Sequence, residues 1–354
     1  MIYIYTVIVS SFFAWLFDIL KYKNSTAENI IRNISICASF FLLYILGAIR
    51  YNVGTDYLRY SWYQLPFAIA GKEVKFEFFP TMIARFGYWL SGDTNYYYIF
   101  AIFHFIIMIF LFLAIVRQSE IVSLSILILM LTTFFPFSLN AMRQAMATSI
   151  FLWSLRYLQE KQYIKYILSV IVCSLFHKIS LLYLFLIAFD FIKLDRKKTI
   201  FIFAFMGLFS IFGENVLYRI LSSFGIYTEY LNWEVAYSRL HIIYAIVLTL
   251  LTNFLLLFVD SENKKKLRAQ IYTNYAFTLL AFFMPVLPEG TRLYFLFMPI
   301  HILLLPNLYK CSRRKDIAFF TMFVILIFYV FFFYRLIFVG NANEILPYRT
   351  IFSK

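Results

Sequence analysis

The sequence is poor in cysteine and lacks the common nucleotide and hydrolase motifs. Its three cysteines, Cys37, Cys173 and Cys311, lie far apart in or beside apolar runs, so they give neither a metal-binding spacing nor a disulfide framework. There is no P-loop, no dinucleotide fingerprint, no His-Glu-x-x-His, no Gly-x-Ser-x-Gly and no Asp-x-Asp. These absences argue against chemistry driven by ATP and against a transferase that binds a nucleotide sugar.

Charge is also scarce, because only 14% of the residues are charged while 63% are hydrophobic. A soluble domain is usually about 45–50% apolar. The excess comes in runs of about 20 residues, long enough to cross ~30 Å of hydrocarbon as helices. The sequence therefore predicts an all-α, polytopic integral membrane protein. The net charge of +14 fits loop residues that orient the spans better than it fits nucleic-acid binding.

The N-terminal segment has no basic region and no small-residue cleavage site, so we interpret it as a retained first span. The segment 163–192 is about 30 residues long, which is too long for a single crossing. If it broke at His177 into two helices, the basic clusters on both sides would stay on the cytoplasmic face. Hydropathy places the other spans at 2–20, 30–49, 97–116, 120–138, 140–158, 199–212, 239–259, 270–287, 293–309 and 316–338.

This reading gives one transmembrane domain over residues 1–354, with about twelve spans and both termini outside. Outer loops are expected at 50–96 and 213–238, and residues 77–90 read as an amphipathic helix lying on the membrane surface. Glu77 at its start either faces the site or, as we expect, is solvated. The same topology gathers residues distant in sequence at the outer face: Arg50, Asp56, Asn140, Arg143, His177, Glu289, Arg292 and Arg349.

Arg143 is the most informative of these residues, because it interrupts a hydrophobic tract that runs from about 121 to 158. An arginine at membrane depth costs roughly 2.5–3.5 kcal/mol on insertion scales. Arginine holds phosphate bidentately and stays charged at any working pH. Asn140 and Gln144, three residues before and one after, are expected on the same helix face, where their amides would add hydrogen bonds to phosphate or sugar oxygens.

His177 lies at the predicted helix break, where a histidine that titrates near neutral pH can take a proton from a hydroxyl group. Lys178 beside it can meet a phosphate. In the outer loop, Gly54 permits a tight turn, Asp56 begins a helix and is the alternative base, and Tyr57 can stack on a sugar ring or belong to an interfacial aromatic belt.

Two more segments carry charges to the outer face. Prolines and a glycine form a short turn before a span, with Glu289 and Arg292 at its mouth; the two either pair with each other or offer Arg292 to a phosphate. The C-terminal tail brings Tyr348 and Arg349 outside. It either folds back over a pocket or lies on lipid headgroups.

These segments resemble the EpsG/Wzy-type polysaccharide polymerases of bacteria, in order and over nearly the whole chain. The most specific part is the block from NAMRQA at 140–145 to FHK at 176–178. The other matching pieces are VGTDYLRY at 53–60, EFFP at 77–80, EGTRLYF at 289–295 and LPYRTIF at 346–352.

The resemblance implies a GT-C-like, metal- and cofactor-independent glycosyltransferase of the inner membrane, acting on its periplasmic or outer face. Such enzymes transfer a growing glycan from undecaprenyl diphosphate to a new lipid-linked repeat unit with inversion. The family arginine falls on Arg143 and the family histidine on His177, which leaves Asp56 as the other candidate base.

Lipid-linked oligosaccharides and membrane lipid are the expected partners, with a chain-length regulator as a further candidate. O-antigen, capsule and exopolysaccharide remain open as products. A lipid-linked sugar flippase and a membrane O-acyltransferase share the architecture and are the alternative functions.

Overall fold

Helices account for all regular structure in residues 1–23, 25–92, 96–191, 239–283 and 290–352, which the computed structural model describes. Two isolated bridges are the only β pairing in these ranges. The principal helices are α1 Ile2–Leu20, α2 Thr26–Ala48, α3 Phe78–Ser91, α4 Tyr97–Gln118, α5 Val122–Leu131, α6 Met142–Gln159, α7 Tyr163–Phe176, α8 Phe185–Phe191, α9 Arg239–Leu256, α10 Arg268–Phe283, α11 Gly290–Phe297, α12 His301–Cys311 and α13 Lys315–Phe333. Shorter helical segments are Tyr57–Arg59, Tyr60–Gln64, Leu65–Ile69, Phe134–Ser138, Lys178–Leu184, Ser261–Lys266, Met298–Ile300, Tyr334–Val339 and Ala342–Glu344.

The predicted all-α class is therefore confirmed, and the structure supports membrane spans in part. Among the described residues, five helices are long and apolar enough to cross a membrane: Ile2–Leu20, Thr26–Ala48, Tyr97–Gln118, Arg292–Cys311 and Lys315–Val339. The count of about twelve spans and the GT-C-like architecture stay predictions. The predicted span at 199–212, the predicted loop at 213–238 and Glu289 lie outside the described residues.

A proline interrupts one of the spans that hydropathy predicts as continuous. A proline inside a helix lacks the N–H group and clashes with the carbonyl four residues earlier. Pro136 cannot donate a hydrogen bond to the carbonyl of Thr132, so the helix does not continue through this point. Helix α5 ends at Leu131, and Thr133 takes a left-handed conformation (φ 62°). Pro299 lies in a tighter helical turn between α11 and α12, but the helical run Arg292–Cys311 continues through it. The prediction of one helix over 120–138 is therefore wrong.

The predicted break at His177 is confirmed, and the chain reverses there. His177 has extended backbone angles (φ −158°, ψ 115°), and the segment that follows runs back along α7. Two hydrogen bonds tie the arms together: Tyr166 donates to the carbonyl of Tyr183 at 2.8 Å, and Tyr163 donates to Asp190 at 3.1 Å. Because α7 has 14 residues, it is only about 21 Å long, and the hairpin carries His177 at its tip.

The bundle has two ends with different chemistry. At one end, which we call the basic end, Asp18 accepts hydrogen bonds from the start of α5, and Gln159 donates to the carbonyl of Lys265. The opposite end, the site end, holds the loop after α2, the start of α6 and the tip of the hairpin. Residues of four predicted cytoplasmic clusters lie at the basic end: Lys21, Lys23, Arg156, Lys161, Lys264, Lys265, Lys266, Arg268, Lys310, Arg313, Arg314 and Lys315.

Helix α3 lies across the site end and packs by its small residues. Ala84 and Gly87 are buried against α4, and a Cβ at Gly87 would lie 2.7 Å from Ile99 Cγ1. The other face exposes a row of large apolar side chains: Phe78, Met82, Phe86, Trp89 and Leu90. The predicted helix is thus present, while its position on a membrane surface stays a prediction.

Candidate active site

Glu77 occupies the centre of the site end, where its carboxylate joins three parts of the fold. It is the residue that precedes α3, yet its side chain makes no cap to that helix. One oxygen, Oε2, accepts a hydrogen bond from Arg143 Nη1 at 2.5 Å. The other, Oε1, lies 3.0 Å from His177 Nδ1 and 3.4 Å from the backbone nitrogen of Lys178. The side chain is only 9% exposed, so of the two alternatives for Glu77 the preferred one, a solvated side chain, is wrong, and the side chain faces the site.

Arg143 is the second residue of α6, and the loop before α3 wraps around its guanidinium group. Nη1 also donates to the backbone carbonyl of Lys75 at 2.8 Å, and the guanidinium lies 4.9 Å from the ring centre of Phe76. The side chain remains 15% exposed, so the cation sits at the edge of the bundle interior. A cation held in this way can face an anion that arrives at the site end.

His177 is brought to Glu77 by the packing of α7 on α3. The ring of Phe176 stacks on that of Phe79 with 4.9 Å between centres, and the extended backbone at His177 then turns the imidazole toward the carboxylate. Nδ1 of His177 is engaged by Glu77, and Nε2 has no hydrogen-bond partner among the described residues. The imidazole is 14% exposed, which leaves it accessible from the site end.

The electrostatic balance keeps Glu77 ionised. Burial raises the pKa of its carboxyl group, but the hydrogen bond from His177 and the positive charge of Arg143 outweigh burial and lower the pKa to about 2. An ionised carboxylate only accepts hydrogen bonds. Among the described residues, no group of three or more histidine, cysteine or acidic side chains is arranged to hold a metal ion.

Contrary to the prediction, the polar residues beside Arg143 do not share its helix face. Asn140 precedes the first residue of α6, so helical spacing does not apply to it. Its Oδ1 accepts hydrogen bonds from the hydroxyl of Thr55 at 3.0 Å and from the backbone of Asp56 at 3.2 Å, and its Nδ2 donates to Asn343. Gln144 donates to the carbonyl of Arg292 at 2.7 Å. Asn140 thus links the outer loop to the C-terminal tail.

Arg50 and Tyr57 lie deeper than predicted. Arg50 is 1% exposed; it donates to Met142 Sδ at 3.1 Å and lies 5.3 Å from the ring centre of Phe100. Tyr57 is buried, and its ring is stacked on Phe100 with 4.5 Å between centres. A sugar ring therefore cannot stack on Tyr57 in this arrangement. Arg50 comes just after the end of α2, and its side chain lies inside the bundle instead of at the site end.

The C-terminal tail folds back over the outer loop, which is one of the two arrangements expected for it. Tyr51 donates its N–H to the carbonyl of Arg349 at 3.0 Å, and the hydroxyl of Tyr348 donates to the carbonyl of Leu46 at 2.7 Å. The side chain of Arg349 is exposed. The tail thus holds the loop that carries Asp56 and presents one more cation at the site end.

Apart from the buried Arg50 and Tyr57, the described candidates meet at the site end in two groups. Arg143, His177 and Lys178 meet at Glu77, and Gln144 contacts the backbone of Arg292. Asp56, Asn140 and the tail residues Tyr348 and Arg349 form a second group held by the outer loop. Asp56 contacts Asn140 through its backbone and is part-exposed, with no contact to Glu77.

A family model of the EpsG family matches residues 33–350, which includes all of these residues. The chain belongs to the EpsG family. No curated protein and no solved structure gives a match. The resemblance inferred from the NAMRQA and FHK segments is thus confirmed at the level of the family. In this EpsG-family chain, the match also spans Glu77, for which the sequence favoured a solvated position over one facing the site. The available signal was its position directly before the FFP helix start.

Proposed function

We propose that this EpsG-family protein is a polymerase of lipid-linked oligosaccharide repeat units in a bacterial inner membrane. It transfers a growing glycan from undecaprenyl diphosphate to the sugar end of a new lipid-linked repeat unit, on the periplasmic or outer face. Family membership supports the coarser statement of a Wzy-like polymerase or related glycosyltransferase. The substrate, the reaction and the orientation are the proposal.

The meeting of Arg143 and His177 at one end of an apolar helical bundle carries this proposal. A lipid diphosphate has its isoprenoid chain in the bilayer and its charge and sugars at the membrane surface. A protein that acts on it therefore needs a fixed cation and a proton acceptor at the end of its helices. Arg143 and His177 supply both, and Glu77 holds them within one cluster.

The chemistry is a single displacement at the anomeric carbon of the donor. The acceptor hydroxyl forms the new carbon–oxygen bond and gives its proton to Nε2 of His177, while the bond to the diphosphate breaks and its electron pair leaves with the diphosphate. Arg143 stabilises the negative charge that develops on the leaving group. One base and direct attack give inversion. Arg292, Lys178 and Arg349 add positive charge around the same end.

The test uses a strain in which the gene is deleted and then restored as wild type, Arg143→Ala or Arg335→Ala. Arg335 is an exposed arginine in the helical turn after α13 and serves as the matched control. We expect wild type and the control to make polymer, and Arg143→Ala to accumulate single repeat units on the lipid carrier at the outer face. Polymer of normal length from Arg143→Ala would contradict the proposal. Single units trapped inside the cell would instead indicate a flippase.

A further inference from the structure

We propose that Glu77 is the positioning residue of this site: its carboxylate fixes the imidazole of His177 with the hydrogen on Nδ1 and turns Nε2 toward the acceptor, while it holds Arg143 beside it. This inference rests on the proposed function for the role of His177. The arrangement itself rests on the contacts of Glu77, which can be tested without turnover.

The position of Glu77 in its own helix does not explain its conformation. The residue before a helix usually caps the first turn with a short side chain such as serine or aspartate. Glu77 has the extended backbone of that position, with φ −76° and ψ 172°, but its side chain turns away from α3. Its partners lie on α6 and at the tip of the hairpin, 66 and 100 residues away in sequence. The carboxylate therefore connects α3, α6 and the tip of the hairpin instead of capping α3.

Each carboxylate oxygen of Glu77 contacts one of the two side-chain partners. Oε2 contacts Arg143 and Oε1 contacts Nδ1 of His177, which lets one side chain fix the distance between a cation and a base. Because an ionised carboxylate only accepts hydrogen bonds, Nδ1 must be the donor in this pair. A neutral imidazole with its hydrogen on Nδ1 keeps its lone pair on Nε2. That nitrogen is the one that has no partner among the described residues.

This geometry also stabilises the product of proton transfer. When the acceptor hydroxyl gives its proton to Nε2, the imidazole becomes a cation 3.0 Å from the carboxylate of Glu77. The proton then passes from Nε2 to water, and the imidazole returns to its starting form. Serine protease triads use an acidic side chain in the same way, to hold the histidine in one tautomer and to stabilise the imidazolium.

The direct test is the tautomer of His177 in protein labelled with [¹⁵N]histidine and placed in lipid nanodiscs. The chain has four histidines, so His177→Gln identifies the signals of this residue by difference. In the signals of the neutral ring, we expect the wild type to show a protonated Nδ1 and an unprotonated Nε2. A hydrogen on Nε2 in the wild type would overturn the proposal, even if Glu77 variants could not be folded.

Glu77→Ala and Glu73→Ala then form a matched pair, because Glu73 is an exposed glutamate in the same loop. In Glu77→Ala we expect part of the His177 population to carry its hydrogen on Nε2. We also expect the polymerisation rate with extracted lipid-linked repeat units to fall at least ~10-fold. Full loss of general base catalysis would cost about 10²–10⁴-fold. Glu73→Ala should keep both the tautomer and the rate.

The two readouts separate the failure of this inference from that of the proposed function. A wild-type protein with the hydrogen on Nδ1 that makes no polymer from these units would contradict the proposed function only. An active wild type whose tautomer and rate are unchanged by Glu77→Ala would contradict the role of Glu77 and leave the polymerase proposal in place.

Discussion

Replacement of Glu77 by glutamine should lower the free energy of unfolding by about 3 kcal/mol at neutral pH. The site lowers the pKa of Glu77 from 4.5 to about 2, and each pKa unit corresponds to about 1.4 kcal/mol of preference for the charged form. Loss of one partner from a buried ion pair typically costs about 3–5 kcal/mol, which agrees in size. Glutamine keeps the volume of the side chain, so the change isolates the charge.

The pH dependence of this effect has a defined sign. Because the pKa of Glu77 is lower in the folded protein, its contribution is fully present above about pH 4.5 and is lost as the pH falls toward 2. The difference in stability between wild type and Glu77→Gln should therefore shrink over that interval. Unfolding in lipid nanodiscs, followed by circular dichroism at a series of pH values, measures it.

A double-mutant cycle with Arg143→Gln assigns the energy to the pair. Residues in one ion-pair network usually show a coupling of about 0.5–3 kcal/mol, and we expect a value near the upper end. Glu73→Gln is the matched control and should leave the stability within about 0.5 kcal/mol of wild type. Equal stability of wild type and Glu77→Gln at neutral pH, or a coupling indistinguishable from zero, would refute this reasoning.

Two further predictions concern the supports of the site. Gly54→Ala should lower the stability by about 2–4 kcal/mol, because Gly54 has φ +108° and a Cβ would lie 2.5 Å from Asn140 Oδ1. The control Gly92→Ala should cost only about 1 kcal/mol, because Gly92 has φ +60° and open space around it. Equal shifts of the thermal unfolding temperature in both variants would contradict the contact with Asn140. Asp190→Asn should lower the stability by about 3 kcal/mol and reduce polymerisation. The reason is that the carboxylate of Asp190, 1% exposed, binds Arg268 and holds the open end of the hairpin that carries His177. Unchanged thermal unfolding and polymer length would show that the hairpin does not need this pair.

Charge and length together predicted the feature of the fold on which the site depends. A segment of about 30 residues between two basic clusters cannot cross once without placing one cluster on the wrong side. The break at His177 follows from this constraint, and the contact between Tyr163 and Asp190 shows that the chain returns. The same distribution of charge predicts Arg143 and His177 at one end, where they share a carboxylate.

Side-chain partners could not be predicted from the sequence. For Glu77, before an amphipathic helix, a solvated position was favoured over one facing the site, because nothing local indicates that its partners lie 66 and 100 residues away. Arg50 reads as an outer cation, yet the end of α2 leaves it inside the bundle. Asn140 reads as part of a helical face, but the helix Phe134–Ser138 ends before it and α6 begins only at Met142, so its amide turns to the outer loop.

The most direct measurement of the central claim is polymerisation in proteoliposomes that contain only the purified protein and undecaprenyl-diphosphate-linked repeat units extracted from the deletion strain. We expect wild-type protein to make a ladder of longer lipid-linked glycans without nucleotide sugars or ATP, and Arg143→Ala and His177→Ala to leave single units. The absence of longer glycans with folded wild-type protein, or a full ladder from both variants, would contradict this claim.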